Sequence, residues 1–245
     1  MKTLIAWLSF FAMLASFQFW LKDWALTALV MSAVVLHEFG HAIVLWSRGV
    51  QIGMIFVPFL AAAVYYTPEQ AKKLNDFEDA ITSLAGPLVN IGLAVLGAVL
   101  LAAGYEPKYT LAMISLNVGL AFFNLLPIPG LDGGRFQASI FKSLDESEDR
   151  QVVMIVSVLA VSFAVIMLLM GAYSVTYILV IFLTRMNSNK DNPADARSSK
   201  AMSRDTAFSL VRVYAVVLFV LMIANSAVPV WTEFFEIWPF YLIGK

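Results

Sequence analysis

The chain has 245 residues, 60% of them hydrophobic and only 13% charged, with a mean hydropathy of +0.80, well outside the balance of a soluble globular domain. A formal charge of −1 with no long Lys/Arg cluster leaves no electrostatic footprint for nucleic acid. The absence of cysteine excludes disulfides and thiolate metal sites, so any metal must be held by His and carboxylates.

A helix needs about 20 mostly apolar residues to cross roughly 30 Å of hydrocarbon. Stretches of that kind run from Thr3 to Leu21, Trp24 to Trp46, Ala80 to Ala103, Tyr109 to Leu126, Val152 to Met170, Ala172 to Leu183 and Ala207 to Val228, the sixth being short. The first carries Phe17, Phe19 and Trp20 where a signal peptide would place small residues, so it reads as a retained span. Threading seven spans with the amino terminus inside leaves only Lys22, Lys108 and Lys245 of the sixteen basic residues outside, as the positive-inside rule demands. The expected fold class is an all-α polytopic membrane protein with six to seven transmembrane helices.

Between the second and third spans, Val50 to Tyr66 is apolar but punctuated by Gly49, Gly53 and Pro58, which suits a small membrane-associated β-hairpin better than a helix. Irregular backbone at that depth needs protein or water partners, which places the hairpin beside a site. Thr67 to Asp79 reads as a short amphipathic surface segment with Lys72, Lys73, Asp76, Glu78 and Asp79 in the headgroup layer. Residues 1–245 are expected to form a single integral domain, with the core motifs in 24–140, a polar cytoplasmic linker over 186–206, and a last span and tail over 207–245. The aromatic stretch Trp231 to Tyr241 suits an interfacial anchor or gate.

The chemistry sits in the second span, where His37, Glu38, Phe39, Gly40 and His41 spell HEFGH. Four residues on a helix turn about 400° and rise about 6 Å, so both imidazoles face one way and can grip one ion. Glu38 stands beside them, placed to take a proton from water activated by that ion. A lone helical histidine more often bonds a carbonyl, but this chain has only two histidines and both are spent on the motif. Glu38 is also the one acidic residue deep in an expected span, where an ionisable group is costly without a partner or a function.

A catalytic zinc usually takes three protein ligands. With histidine and cysteine exhausted, the third must be a carboxylate, and Asp132 is the best placed. The second and fourth spans both run inward and deliver HEFGH and Asp132 to the same level. Taken alone, Asp132-Gly133-Gly134 is also ordinary turn chemistry after Pro127 and Pro129.

HEFGH in a span, Ser83-Leu-Ala-Gly-Pro-Leu-Val-Asn90 opening the next, and Asn124-Leu-Leu-Pro-Ile-Pro-Gly-Leu-Asp132-Gly-Gly134 together resemble the site-2 protease family over roughly residues 30 to 140. The resemblance implies an intramembrane zinc metalloprotease with one Zn2+ held by His37, His41 and Asp132, and Glu38 as general base. It implies that Asn124 helps to hold the substrate backbone or an oxyanion; Asn90 is a weaker candidate of the same kind, with helix packing as the alternative. The implied partners are the lipid bilayer and single-span membrane proteins, such as membrane-tethered regulators or signal-peptide remnants. The implied location is the cell (inner) membrane, with the amino terminus and site toward the cytoplasm. The loops are too short for a PDZ domain and the tail for a CBS pair, so the expected form is minimal. Gly86 and Pro87 are expected to serve packing between spans. Two other readings use the same residues: a noncatalytic adaptor with zinc as a structural clip, which would tolerate Glu38→Gln, and a metal or proton transporter, which would need further ionisable residues along its path.

Overall fold

The computed structural model describes residues 2–58, 61–144 and 201–227, together with positions 151, 154, 155, 158 and 162. Helices α1 (Lys2–Leu21) and α2 (Trp24–Ser47) are followed by a hairpin of β1 (Gly53–Val57) and β2 (Ala61–Tyr65). Then come a short α3 (Pro68–Ala71), α4 (Asp76–Ala102), α5 (Pro107–Asn124), α6 (Asp132–Ser143) and α7 (Arg204–Ala227). Among the described residues, α1, α2, α4 and α7 are long and apolar enough to cross a membrane. The fourth expected span is present as α5, but Thr110, Ser115 and Asn117 lie on its buried side and lower its apolarity. Most of the fifth span, the sixth, most of the linker and Trp231 to Tyr241 lie outside the described residues.

Local signals set the helix ends. Asp23 caps α2 by accepting from the backbone N–H groups of Ala25 and Leu26. The hydrogen bond from Lys108 (2.8 Å) holds its carboxyl below the usual carboxylate range and ties the α1–α2 turn to the start of α5. At the other end of α2, Gly49 takes a φ of +68°, the left-handed conformation that favours glycine. The N–H groups of Gly49 and Val50 then reach back to the carbonyls of Trp46 and Leu45, and Val50 packs on Leu45. This reversal aims the chain into the hairpin.

The hairpin is antiparallel, with Gly53 opposite Tyr65, Met54 opposite Val64 and Val57 opposite Ala61. Its first strand lies on α1, where Phe56 meets Phe10 edge to face at 5.4 Å and the Phe56 N–H donates to Ser9 Oγ. After α3, Asn75 and Glu78 form a reciprocal capping box that opens α4. The helix therefore starts ahead of the expected Ala80. Asp76 and Asp79 do not face outward as an amphipathic surface segment would have them: both are buried against α6, accepting from Ser143 and Ser139. Helix α4 is central, packing on α2, α5 and α6. Helix α7 covers α5 and α6, with Tyr214 stacked on Phe136 and its hydroxyl donating to the Leu125 carbonyl.

Candidate metal centre

His37 and His41 come from α2 and Asp132 from the first turn of α6, and all three are buried. The fold brings them together across about ninety residues of sequence: Asp132 Oδ2 is 3.1 Å from His37 Nε2 and 3.3 Å from His41 Nε2, and the two Nε2 atoms are 3.2 Å apart.

The other ring nitrogens decide what this triangle can hold. His37 Nδ1 faces Asn90 Oδ1 at 2.6 Å, and His41 Nδ1 faces the carbonyl oxygen of Thr82 at 2.7 Å. Both partners are acceptors, because the Asn90 amide nitrogen is spent donating to the Ala33 carbonyl (3.2 Å) and to Asn117 Oδ1 (2.8 Å). The Asn117 nitrogen in turn donates to the Met113 carbonyl. Each neutral imidazole thus carries its proton on Nδ1 and turns a lone pair on Nε2 toward the centre. With both imidazoles neutral, two lone pairs and a carboxylate oxygen converge at 3.1–3.3 Å. That is a donor set able to hold a cation. Tetrahedral zinc bonds of roughly 2.0–2.1 Å set ligand atoms about 3.3–3.4 Å apart, so the donor set fits zinc in type, number and spacing.

Glycines make room for the imidazole pair. A Cβ on Gly86 of α4 would lie 2.4 Å from His41 Nε2 and 2.7 Å from His37 Nε2, while one on Gly40 of α2 would lie 2.7 Å from the Ala85 carbonyl. Helices α2 and α4 therefore touch backbone to backbone beside the imidazoles. In α6, a Cβ on Gly133 would meet the Leu125 carbonyl at 2.2 Å and one on Gly134 the Ile128 carbonyl at 2.1 Å. The first turn bearing Asp132 is seated directly on the preceding loop.

Glu38 is buried, and its Oε2 accepts the N–H of Val64 at 2.8 Å. A strand N–H that bonds Glu38 cannot also serve the ladder to β1, so β2 turns its outer edge toward the site. Asn124 ends α5 with its amide nitrogen donating to the Leu120 carbonyl of its own helix at 3.0 Å. Asn90 has its oxygen on His37 Nδ1 and both amide donors on the Ala33 carbonyl and Asn117, so it orients an imidazole and ties α4 to α2 and α5, as the helix-packing alternative expects.

Sequence reasoning passed over Asn117 and the Thr82 carbonyl, and gave Gly86 only a packing role between spans without naming the imidazoles it packs against. Asn117 carried a signal, an amide in an otherwise apolar helix. The Thr82 carbonyl carried none. Replacing Asn90 by Ala is expected to lower zinc affinity by about 10–100-fold, the usual effect of losing an outer partner of a ligating histidine, in a competition titration against a chromogenic chelator.

Residues 102–169 match the model described as Peptidase family M50, a segment that includes Asp132 and begins after HEFGH. The chain is 32% identical over 170 residues to the zinc metalloprotease MJ0392 of Methanocaldococcus jannaschii, covering 64% of this chain and 46% of that protein. It is 28% identical over 168 residues to a Synechocystis protein, sll0528, that bears a provisional zinc metalloprotease name, covering 66% and 43% of the two chains. It is 31% identical over 137 residues to Rip2 of Mycolicibacterium smegmatis, also provisionally named a zinc metalloprotease, covering 42% and 52%. The chain spans about half the length of the relatives it matches.

Proposed function

We propose that this chain, which matches Peptidase family M50 over residues 102–169 and is similar to zinc metalloproteases, is a zinc metalloendopeptidase of the site-2 protease kind that hydrolyses peptide bonds in or near transmembrane segments of other membrane proteins. The observation that carries this reading is the convergence of His37 Nε2, His41 Nε2 and Asp132 Oδ2 beside a buried glutamate.

When bound by His37, His41 and Asp132, zinc supplies Lewis acidity, which lowers the pKa of water toward 7 and polarises a peptide carbonyl. The chain's own residues do the rest. Glu38, steadied by the Val64 N–H, takes the proton of the attacking water and later delivers it to the departing amine nitrogen. Asn90 and the Thr82 carbonyl keep the imidazoles in the tautomer that leaves Nε2 free. The outer edge of β2 offers backbone groups to an extended peptide, which suits a client whose helix has locally unwound, since helical hydrogen bonding shields the scissile carbonyl. Asn124 lies one loop before Asp132; one N–H of its amide goes to the Leu120 carbonyl, and the amide's second N–H is the donor that would hold a substrate carbonyl. The clients that fit are single-span proteins such as membrane-tethered regulators and signal-peptide remnants, cut on the cytoplasmic side of the cell membrane.

The test is cleavage of candidate single-span substrates by purified protein with measured zinc content. Glu38→Gln is expected to lower cleavage by about 10²–10⁴-fold while zinc content stays at the wild-type level, because Glu38 is not a ligand. Equal cleavage by the two forms would end the role given to Glu38, and no cleavage by a zinc-loaded wild-type chain would leave a zinc-clipped adaptor in its place.

A further inference from the structure

The chemistry proposed above needs three elements in register: α2 with Glu38, α6 with Asp132, and the hairpin edge between them. The start of the hairpin is fixed by the Gly49–Val50 reversal, and β1 is fixed on α1. Its far end is held differently.

Tyr66 follows β2 directly, with its ring packed beside Leu45, Val50 and Leu74. Arg135 Nη2 donates to the Tyr66 hydroxyl at 3.0 Å. The same guanidinium lies 3.8 Å from Asp79 Oδ1, at the start of α4, and Asp79 is only 1% exposed. Arg135 is three residues beyond Asp132, which puts the two side chains on one face of α6. Two residues before Tyr66, the Val64 N–H meets Glu38. One guanidinium therefore closes a circuit from the ligand carboxylate, through the strand edge, to the glutamate.

The geometry points to Arg135 as a positioning residue: with Tyr66 it latches the exit of the hairpin to the helix that carries Asp132, holding the β2 edge in register with both sides of the site. A planar fork with five donors can face a phenol oxygen and a carboxylate together, whereas a lysine ammonium is a point charge on a single flexible stem. The Asp79 partner keeps the guanidinium from swinging out, since departure would leave a buried carboxylate without its cation. The latch fixes where an extended client lies and leaves the ion to its own ligands. This assignment rests on the protease reading for its purpose but not for its test.

The experiment is amide hydrogen exchange across residues 53–66 in the full chain in detergent or nanodiscs, with zinc content measured in parallel. The proteins are wild type, Tyr66→Phe, Arg135→Lys and the double variant. Tyr66→Phe removes one hydroxyl, and Arg135→Lys keeps the charge near Asp79 while losing the fork. Each single variant is expected to speed exchange in the hairpin by roughly tenfold, with α2 and α4 unchanged and zinc retained. The double variant should be no faster than either single, because both cut the same link. In the cleavage assay both singles should raise KM several-fold with kcat nearly kept. Unchanged hairpin exchange, additive effects in the double variant, or a rise in exchange across all helices with loss of zinc would each overturn the latch. A wild-type chain that cleaves no substrate, yet shows the hairpin-specific exchange pattern, would sink the protease reading and leave the latch standing.

Discussion

Adding one methyl group at Gly86 is expected to empty the metal site. The Cβ of an alanine there would stand 2.4 Å from one coordinating nitrogen and 2.7 Å from the other, where carbon and nitrogen at van der Waals contact need well over 3 Å. The imidazoles cannot step aside without losing Asn90 and the Thr82 carbonyl, and α4 cannot retreat without parting from Gly40, which itself lies against Ala85. Zinc measured by plasma mass spectrometry should fall to background in Gly86→Ala, and cleavage with it. Gly92, on the same helix, has nothing within 4 Å of a built Cβ, so Gly92→Ala should keep wild-type zinc and activity. Full zinc occupancy in Gly86→Ala would mean that the imidazole pair does not form the ion's floor.

The second large effect is expected at Asp132. Asp132→Ala removes the one anionic donor and leaves two lone pairs 3.2 Å apart with nothing to complete the ion's shell. Zinc affinity should drop by more than the ~10–100-fold expected for the outer partner Asn90, and cleavage should become undetectable. Asp132→Glu tests position instead of charge. Gly133 and Gly134 seat the turn against the Leu125 and Ile128 carbonyls, so α6 cannot back away to accommodate a longer side chain. Glutamate should therefore rescue little of the lost binding. Near-wild-type zinc retention in Asp132→Ala, read by the same chelator competition, would move the third ligand elsewhere.

The sequence was most legible where spacing alone carries the chemistry. HEFGH places two imidazoles on one helical face whatever the rest of the chain does, and the exhaustion of histidine and cysteine pointed to a carboxylate before any contact was known. The hairpin was readable from Gly49, Gly53 and Pro58 because glycine and proline punctuate backbone independently of packing. Asp76 and Asp79 misled, since acidic residues next to two lysines look like a solvated headgroup segment; only the approach of α6, with Ser139 and Ser143, reveals their burial. The role of Gly86 was hidden for a related reason. A glycine beside a proline says that something comes close, but what comes close is decided by the crossing of α2 and α4. Asn90 was noticed with two roles open, substrate contact or helix packing, because an amide in a span announces a partner without naming it; its bonds run to His37, Ala33 and Asn117.

The pairing of α2 with α4 has one more consequence. His37 pairs with Asn90, His41 with Thr82, and Gly86 sits between, so the two helices run in opposite directions and meet through bonds that a slide of one residue would break together. Both are synthesised before Asp132. The Asn90 amide is oriented by Asn117 of α5, so a chain that ends after α5 carries all that sets the imidazole pair in its tautomers, and α6 follows to bring Asp132. Completion of the ligand set is thereby tied to the progress of translation, and a prematurely ended product would hold both histidines ready without the carboxylate that retains the metal.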